Sequence, residues 1–225
     1  MSFKTLRRAG LFAGLLATLA ACGNDQTRDP IFEAAYTGFF QKSDAASPQG
    51  LTDEVIAQTL AATDLPVILL RINARNSEAI AAQIERNGEH RTYGTAERQA
   101  IVLRHGMITG TRGLGGDLMS VEEDALLRLV RGRGTGNVAY MQRFLTAEDV
   151  TREISYRCNV EPDERVDLAQ GRIRAGVTEM LAACTSEDGK PFVDYYLVDG
   201  SGEILGSRQW LGETTGYVTM TQLQK

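Results

Sequence analysis

Residues 9–21 form an apolar run broken only by Thr18, behind a start made basic by Lys4, Arg7 and Arg8. That is the layout of a secretory signal, and it is too short for a membrane-spanning helix, which needs about 20 apolar residues. Beyond a polar stretch to Pro30, helix-like spacing recurs at 31–41 and 52–63, with Thr52 as candidate N-cap and Glu54 close behind. Gly38 and the Ser47-Pro48-Gln49-Gly50 turn interrupt these two segments. Pro66 then opens an apolar run at 67–72 that has the length of a strand. From there the period is two and the units are hairpins. Residues 79–85 lead into Asn87-Gly88, 99–103 alternate into His105-Gly106, and 107–111 lead back out. Segments 137–145 and 150–160 are rich in aromatic and β-branched residues. Segments 193–198 and 203–210 flank the tight turn Asp199-Gly200-Ser201-Gly202, and 217–221 would close the sheet. One helix is expected at 121–130. The pattern predicts a mainly β single domain over residues 31–225. It would be an antiparallel meander, built as a sandwich or a half-barrel, with one to three short helices.

The end of the apolar run carries its own chemistry. Leu19-Ala20-Ala21-Cys22 looks like a bacterial lipobox, which predicts cleavage after residue 21 and lipidation of Cys22. Only a thiol forms a stable thioether to a diacylglycerol. At about 0.8 kcal/mol per buried methylene, two or three chains such as palmitate would hold the protein on a membrane. Residues 22–30 would be the lipidated tether. Gly23 is not the Asp that retains enterobacterial lipoproteins at the inner membrane, so the expected address is the outer membrane, facing the periplasm.

Processing would leave 204 residues and, by removing the three basic residues of the leader, take the formal charge from −5 to −8. A surface that acidic does not favour nucleic acid or anionic lipid as a bulk electrostatic partner, although a local basic patch around Arg128, Arg131 and Arg133 is compatible with it. Apart from Cys22 there are two cysteines, Cys158 and Cys184, which allow a single internal pairing. An oxidising compartment predicts that they form a disulfide. Neither has a nearby His or a CxxC partner, so a catalytic thiol is not indicated.

Few residues suggest a reaction. His90 and His105, the only histidines, would offer zinc chemistry with a carboxylate, but without paired His/Cys spacing they read as exposed turn residues; no metal or cofactor is expected. The glycines at 110–116 and 132–136 lack Walker spacing and read as turns and bulges. Glu122-Glu123, or Glu161 with Asp163, would suit glycoside hydrolysis only if two acids faced one cleft. The better binding candidates are aromatic: Tyr195, Tyr196, Trp210 and Tyr217. Tyr195 and Tyr196 must point to opposite faces of a strand, one into the core and one outward.

The segment Ile101-Val-Leu-Arg-His-Gly-Met-Ile-Thr-Gly-Thr-Arg-Gly-Leu-Gly-Gly-Asp-Leu118 resembles the signature of the YjbF/GfcB lipoproteins, in which a strand, a Gly turn, a second strand and a Gly-Leu-Gly-x-Asp-Leu run occur together. The 66–71 run, the Asn87-Gly88 hairpin, the Trp210 region and the lipobox fit in order. The resemblance implies a lipid-anchored, mostly antiparallel β protein encoded beside machinery for group 4 capsule or exopolysaccharide. It carries over no catalytic residues, so the expected role is non-catalytic: an accessory factor in polysaccharide assembly or export, with the glycan or envelope proteins of the export system as partners. A glycan-modifying hydrolase and a purely structural envelope lipoprotein are the alternatives. Within the signature, Leu114 and Leu118 should return to the core, and Asp117 would cap the following helix.

Overall fold

The computed structural model describes residues 51–145 and 150–225. The expected leader at 1–21, Cys22, the tether to residue 30, the helical spacing at 31–41 and the turn at 47–50 lie outside the described residues.

A helix, α1 (Asp53–Ala62), opens the described chain where its pattern predicts, with Thr52 Oγ1 accepting from Val55 N–H at 3.4 Å. The first five strands are β1 (Val67–Ile72), β2 (Ser77–Asn87), β3 (His90–Gly94), β4 (Ala100–Arg104) and β5 (Met107–Arg112). Next come β6 (Leu118–Glu122), the helix α2 (Asp124–Gly132), β7 (Gly136–Leu145), β8 (Thr151–Gln170) and β9 (Ile173–Thr185). The chain ends with β10 (Phe192–Asp199), β11 (Ile204–Trp210), a one-turn helix α3 (Gly212–Thr215) and β12 (Tyr217–Gln224).

Among the described residues all twelve strands belong to one antiparallel sheet in the order β5-β4-β3-β2-β1-β12-β11-β10-β9-β8-β7-β6. Every paired neighbour is consecutive in sequence except β1 with β12, so the meander closes on itself there. Its two ends, β5 and β6, come side by side without a backbone ladder; Leu118 N–H donates instead to Thr111 Oγ1 at 2.9 Å. The result is a nearly closed barrel. Tight turns make this topology possible. At His105-Gly106 both residues are left-handed (φ 50° and 86°), as a two-residue hairpin turn demands. A Cβ on Gly106 would also stand 2.1 Å from the carbonyl oxygen of Ile204.

Two interior clusters fill the barrel. On one side Leu126, Leu127 and Val130 of α2 pack among Tyr140, Tyr156, Met180, Tyr196 and Ile204. On the other, Ile68, Leu70, Tyr93, Ile101, Ile108 and Met220 pack together. Val121 and Phe144 touch both. Outside the barrel α1 sets Ile56 and Leu60 on Val67 and Leu223. Cys158 and Cys184 are directly opposite in the β8–β9 ladder and are disulfide-bonded.

Two expectations are corrected here. The helix expected at 121–130 starts at Asp124 because the preceding residues pair as strand β6, with Val121 opposite Gln142. Strand β8 does not stop near residue 160 but continues to Gln170 and pairs with β9, with an irregularity in the register between Pro162 and Arg165. The patch at Arg128, Arg131 and Arg133 is only partly free: Arg131 donates to the Gly202 carbonyl (2.9 Å) and Arg133 to that of Asp199 (2.5 Å), clamping the end of α2 to the β10–β11 turn.

Candidate functional site

The signature loop between β5 and β6 folds around one carboxylate. Asp117 accepts from Gly113 N–H (2.9 Å), Leu114 N–H (3.0 Å) and the Thr111 hydroxyl (3.2 Å). Asp117 therefore organises its own loop and does not cap α2, whose N-cap position is Glu123 and carries no side-chain cap. Leu114 and Leu118 are buried, as a loop returning to the core requires. Arg75 donates to the Leu114 carbonyl (2.7 Å) and Thr215 to that of Gly116 (3.0 Å), so the loop is fastened on both sides. Gly116 must be glycine for α3 to approach: a Cβ there would lie 2.5 Å from Thr214 Cβ.

This loop and α3 form one wall of a cleft of about 500 Å³. Phe144, Tyr156 and Trp210 give the cleft its aromatic wall, and Asp117, Arg152, Lys190 and Glu213 are its charged lining residues. Lys190 and Glu213 form an exposed ion pair at 3.6 Å.

Trp210 belongs to a ladder of rings that runs from the interior to the surface. Tyr156 meets Phe192 edge-on at 4.9 Å, Phe192 stacks with Trp210 at 6.4 Å, and Trp210 meets Tyr217 edge-on at 5.2 Å. The Arg208 guanidinium then lies 3.8 Å from the Tyr217 ring centre and 5.8 Å from that of Tyr195. Tyr217, Trp210 and Tyr195 are thus linked, through Arg208, in one array. Tyr196 is not part of it: it is fully buried and its hydroxyl donates to Asp194 Oδ2 at 3.1 Å, so it serves the core.

The main chain of Trp210 is held from inside the barrel by two buried side chains. Its N–H donates to Asp194 Oδ1 at 2.7 Å, and its carbonyl accepts from Gln142 Nε2 at 2.8 Å. Burial pushes the Asp194 carboxyl up to about 8, against the opposing pull of the Trp210 and Tyr196 hydrogen bonds and the Arg208 charge. At neutral pH this acid is mostly uncharged.

The acid pairs considered for hydrolysis are otherwise engaged or exposed. Glu122 is held by Arg143 and Glu123 by Arg104, while Glu161 and Asp163 stand exposed on β8. His105 lies 3.0 Å from Glu89 and 3.6 Å from Glu203, and His90 is exposed on β3. Among the described residues no group of three or more His, Cys, Asp or Glu is placed to hold a metal ion. Sequence reasoning missed Arg208, although its place two residues before Trp210 on one strand puts both on one face. It also missed Phe144, Tyr156 and Phe192, which only the curl of the sheet brings to Trp210.

A solved structure of the hypothetical lipoprotein YmcC from Escherichia coli superposes with a TM-score of 0.67 at 18% identity, covering 77% of this chain and 90% of that one. A structure from Parabacteroides distasonis matches at a TM-score of 0.31 and 8% identity, over 72% of this chain and 95% of that one. Among curated proteins none matches by sequence. The family model described as group 4 capsule polysaccharide lipoprotein gfcB, YjbF matches residues 38–223. With that match spanning the described sheet from α1 almost to the end of β12, the chain belongs to the YjbF family of group 4 capsule polysaccharide lipoproteins.

Proposed function

We propose that this protein is a non-catalytic accessory factor in the assembly or export of a capsular or secreted polysaccharide, and that it works by holding glycan at the Trp210 cleft. Acyl chains on Cys22 would anchor it in the outer membrane, facing the periplasm, where tethering raises its local concentration for envelope partners. The family to which the chain belongs and the lipobox-like Leu19-Ala20-Ala21-Cys22 support this reading.

The observation that carries the binding role is the aromatic wall of the cleft. Sugar rings present apolar C–H faces, which stack on aromatic side chains, and hydroxyl groups, which need the kind of polar lining that Arg152, Lys190 and Glu213 provide. Trp210 is held rigidly for this purpose, its main chain fixed on both sides by Asp194 and Gln142.

The test has two arms. A glycan array probed with the purified protein should give weak stacking-type binding that Trp210→Ala abolishes; binding that survives the substitution, or no binding, refutes the cleft. Cys22→Ser should release the protein from the membrane fraction, and continued partition into detergent refutes the anchor.

A further inference from the structure

Arg208 is the arginine of this sheet that lies over aromatic rings. Arg71, Arg104 and Arg143 each hold one or more carboxylates. Among the described residues Arg208 forms no ion pair and donates no hydrogen bond; its contacts are the rings of Tyr217 and Tyr195. It stands opposite Tyr195 in β10 and Thr219 in β12, two residues from Trp210 on the same strand, which puts the two Cα atoms about 6.6 Å apart.

We propose that the glycan taken by this face is acidic: the Arg208 guanidinium receives the carboxylate of a uronic-acid-type residue while a neighbouring sugar ring lies on Trp210. The inference rests on the glycan-binding reading above and adds the chemical class of the ligand. A guanidinium is a planar fork whose N–H edge matches a carboxylate with two parallel hydrogen bonds. Stacking on Tyr217 covers a face of that plane and leaves the edge for a ligand, with part of the side chain's rotamer freedom already lost. The buried carboxyl that feels the Arg208 charge, Asp194, is mostly uncharged at neutral pH and so compensates little of it. The chain's overall excess of acidic residues does not oppose this, because at physiological salt bulk charge is screened beyond about 8 Å.

The experiment uses the full chain in detergent and two probes with the same backbone, oligogalacturonate and its methyl ester, with affinity read by calorimetry. The free acid should bind at least about tenfold tighter than the ester, the scale of one charge-assisted bidentate contact. Arg208→Gln should bring the acid-to-ester affinity ratio to about one, the ester serving as the reference for any change in the aromatic array itself. Arg208→Lys, which keeps a cation but not the fork, should retain only part of the wild-type preference. If Arg208→Gln fails to fold, the wild-type acid-to-ester ratio and the Lys variant decide. Equal affinity of the wild type for the two probes overturns the acidic-ligand inference alone and leaves the glycan cleft standing. Binding of neither probe overturns both.

Discussion

Replacing Asp194 by Asn tests whether the interior of the barrel is organised as described. The carboxyl of Asp194 is buried among Tyr196, Tyr140 and the main chain of Trp210, and burial raises it from an ordinary 3.8 to about 8. In the unfolded chain it ionises above pH ~4, whereas in the folded protein it keeps its proton to pH ~8. Folding in that window therefore takes up a proton. Stability from this group is greatest below the unfolded value, falls as pH rises through the window, and levels off above the folded value. The slope is about 1.36 kcal/mol per pH unit, so between pH 5 and pH 7 the loss is about 2.7 kcal/mol.

Asn does not titrate. Its carbonyl oxygen can still accept from Trp210 N–H, while Tyr196 loses its carboxyl acceptor, a pH-independent cost of about 1 kcal/mol. The readout is the difference between wild type and variant. Other carboxylates act with the opposite sign: Glu78 is held low by Arg71, Glu89 by His105 and Arg104, and Asp124 by Arg104. Urea unfolding can be followed by the fluorescence of Trp210, the chain's single tryptophan and a direct neighbour of the network. The stability of wild type minus that of Asp194→Asn should fall by about 2.7 kcal/mol from pH 5 to pH 7, leaving the variant the more stable at pH 7. A difference that stays flat would show that Asp194 is not a neutral acid in the folded state, and the account of a proton-bearing core would fall.

Two further predictions concern covalent and steric closure. Opening the Cys158–Cys184 bond, which spans 26 residues of sequence, should lower stability by about 3.5 kcal/mol in the chain-entropy model, measured as unfolding with and without reductant or with the double Ser variant; an unchanged midpoint would refute the estimate. Gly116→Ala should cost about 1–3 kcal/mol through its clash with Thr214. Thr214→Gly should recover part of that loss, giving a coupling of at least about 0.5 kcal/mol in the double-mutant cycle, and additive losses would mean that the loop and α3 do not touch as described.

The meander was legible because its turns are short and chemically marked. Asn87-Gly88, His105-Gly106 and Asp199-Gly200-Ser201-Gly202 each announce a reversal, and strands lie on both sides of all three. The extension of β8 to Gln170 and its partner β9 were not legible. Residues 161–165 are charged apart from Pro162, are exposed throughout and break the alternation of β8, so the weak alternation that resumes at Val166 and Leu168 reads as a separate piece. The start of α2 was misplaced for a related reason: residues 118–122 gain their strand conformation from pairing with β7, a contact about twenty residues away that no local pattern records. At the candidate site Trp210, Tyr217 and Tyr195 were legible as aromatics on strands near the chain's end. Their grouping through Arg208 depends on β10, β11 and β12 being neighbours in register, which single-strand periodicity does not contain.

The place where the barrel fails to close explains where the cleft lies. A twelve-stranded meander that closes through β1 and β12 must leave its seam between β5 and β6, and the chain must cross that seam once. It does so through the Gly113–Leu118 loop, and the demands on that loop are met inside it: a carboxylate satisfies its turn amides, two leucines anchor it in the core, and Gly116 lets α3 pack against it. Fastened in this way, the loop lines the cleft together with Phe144, Tyr156 and Trp210. The Trp210 side of the cleft is fixed from within, because Asp194 on β10 and Gln142 on β7 hold the main chain of Trp210 from strands on either side of the β8–β9 pair. The segment that resembles a family signature in the sequence is thus the segment that spans the seam, and the seam is where the fold sets an apolar surface beside a rigid polar one.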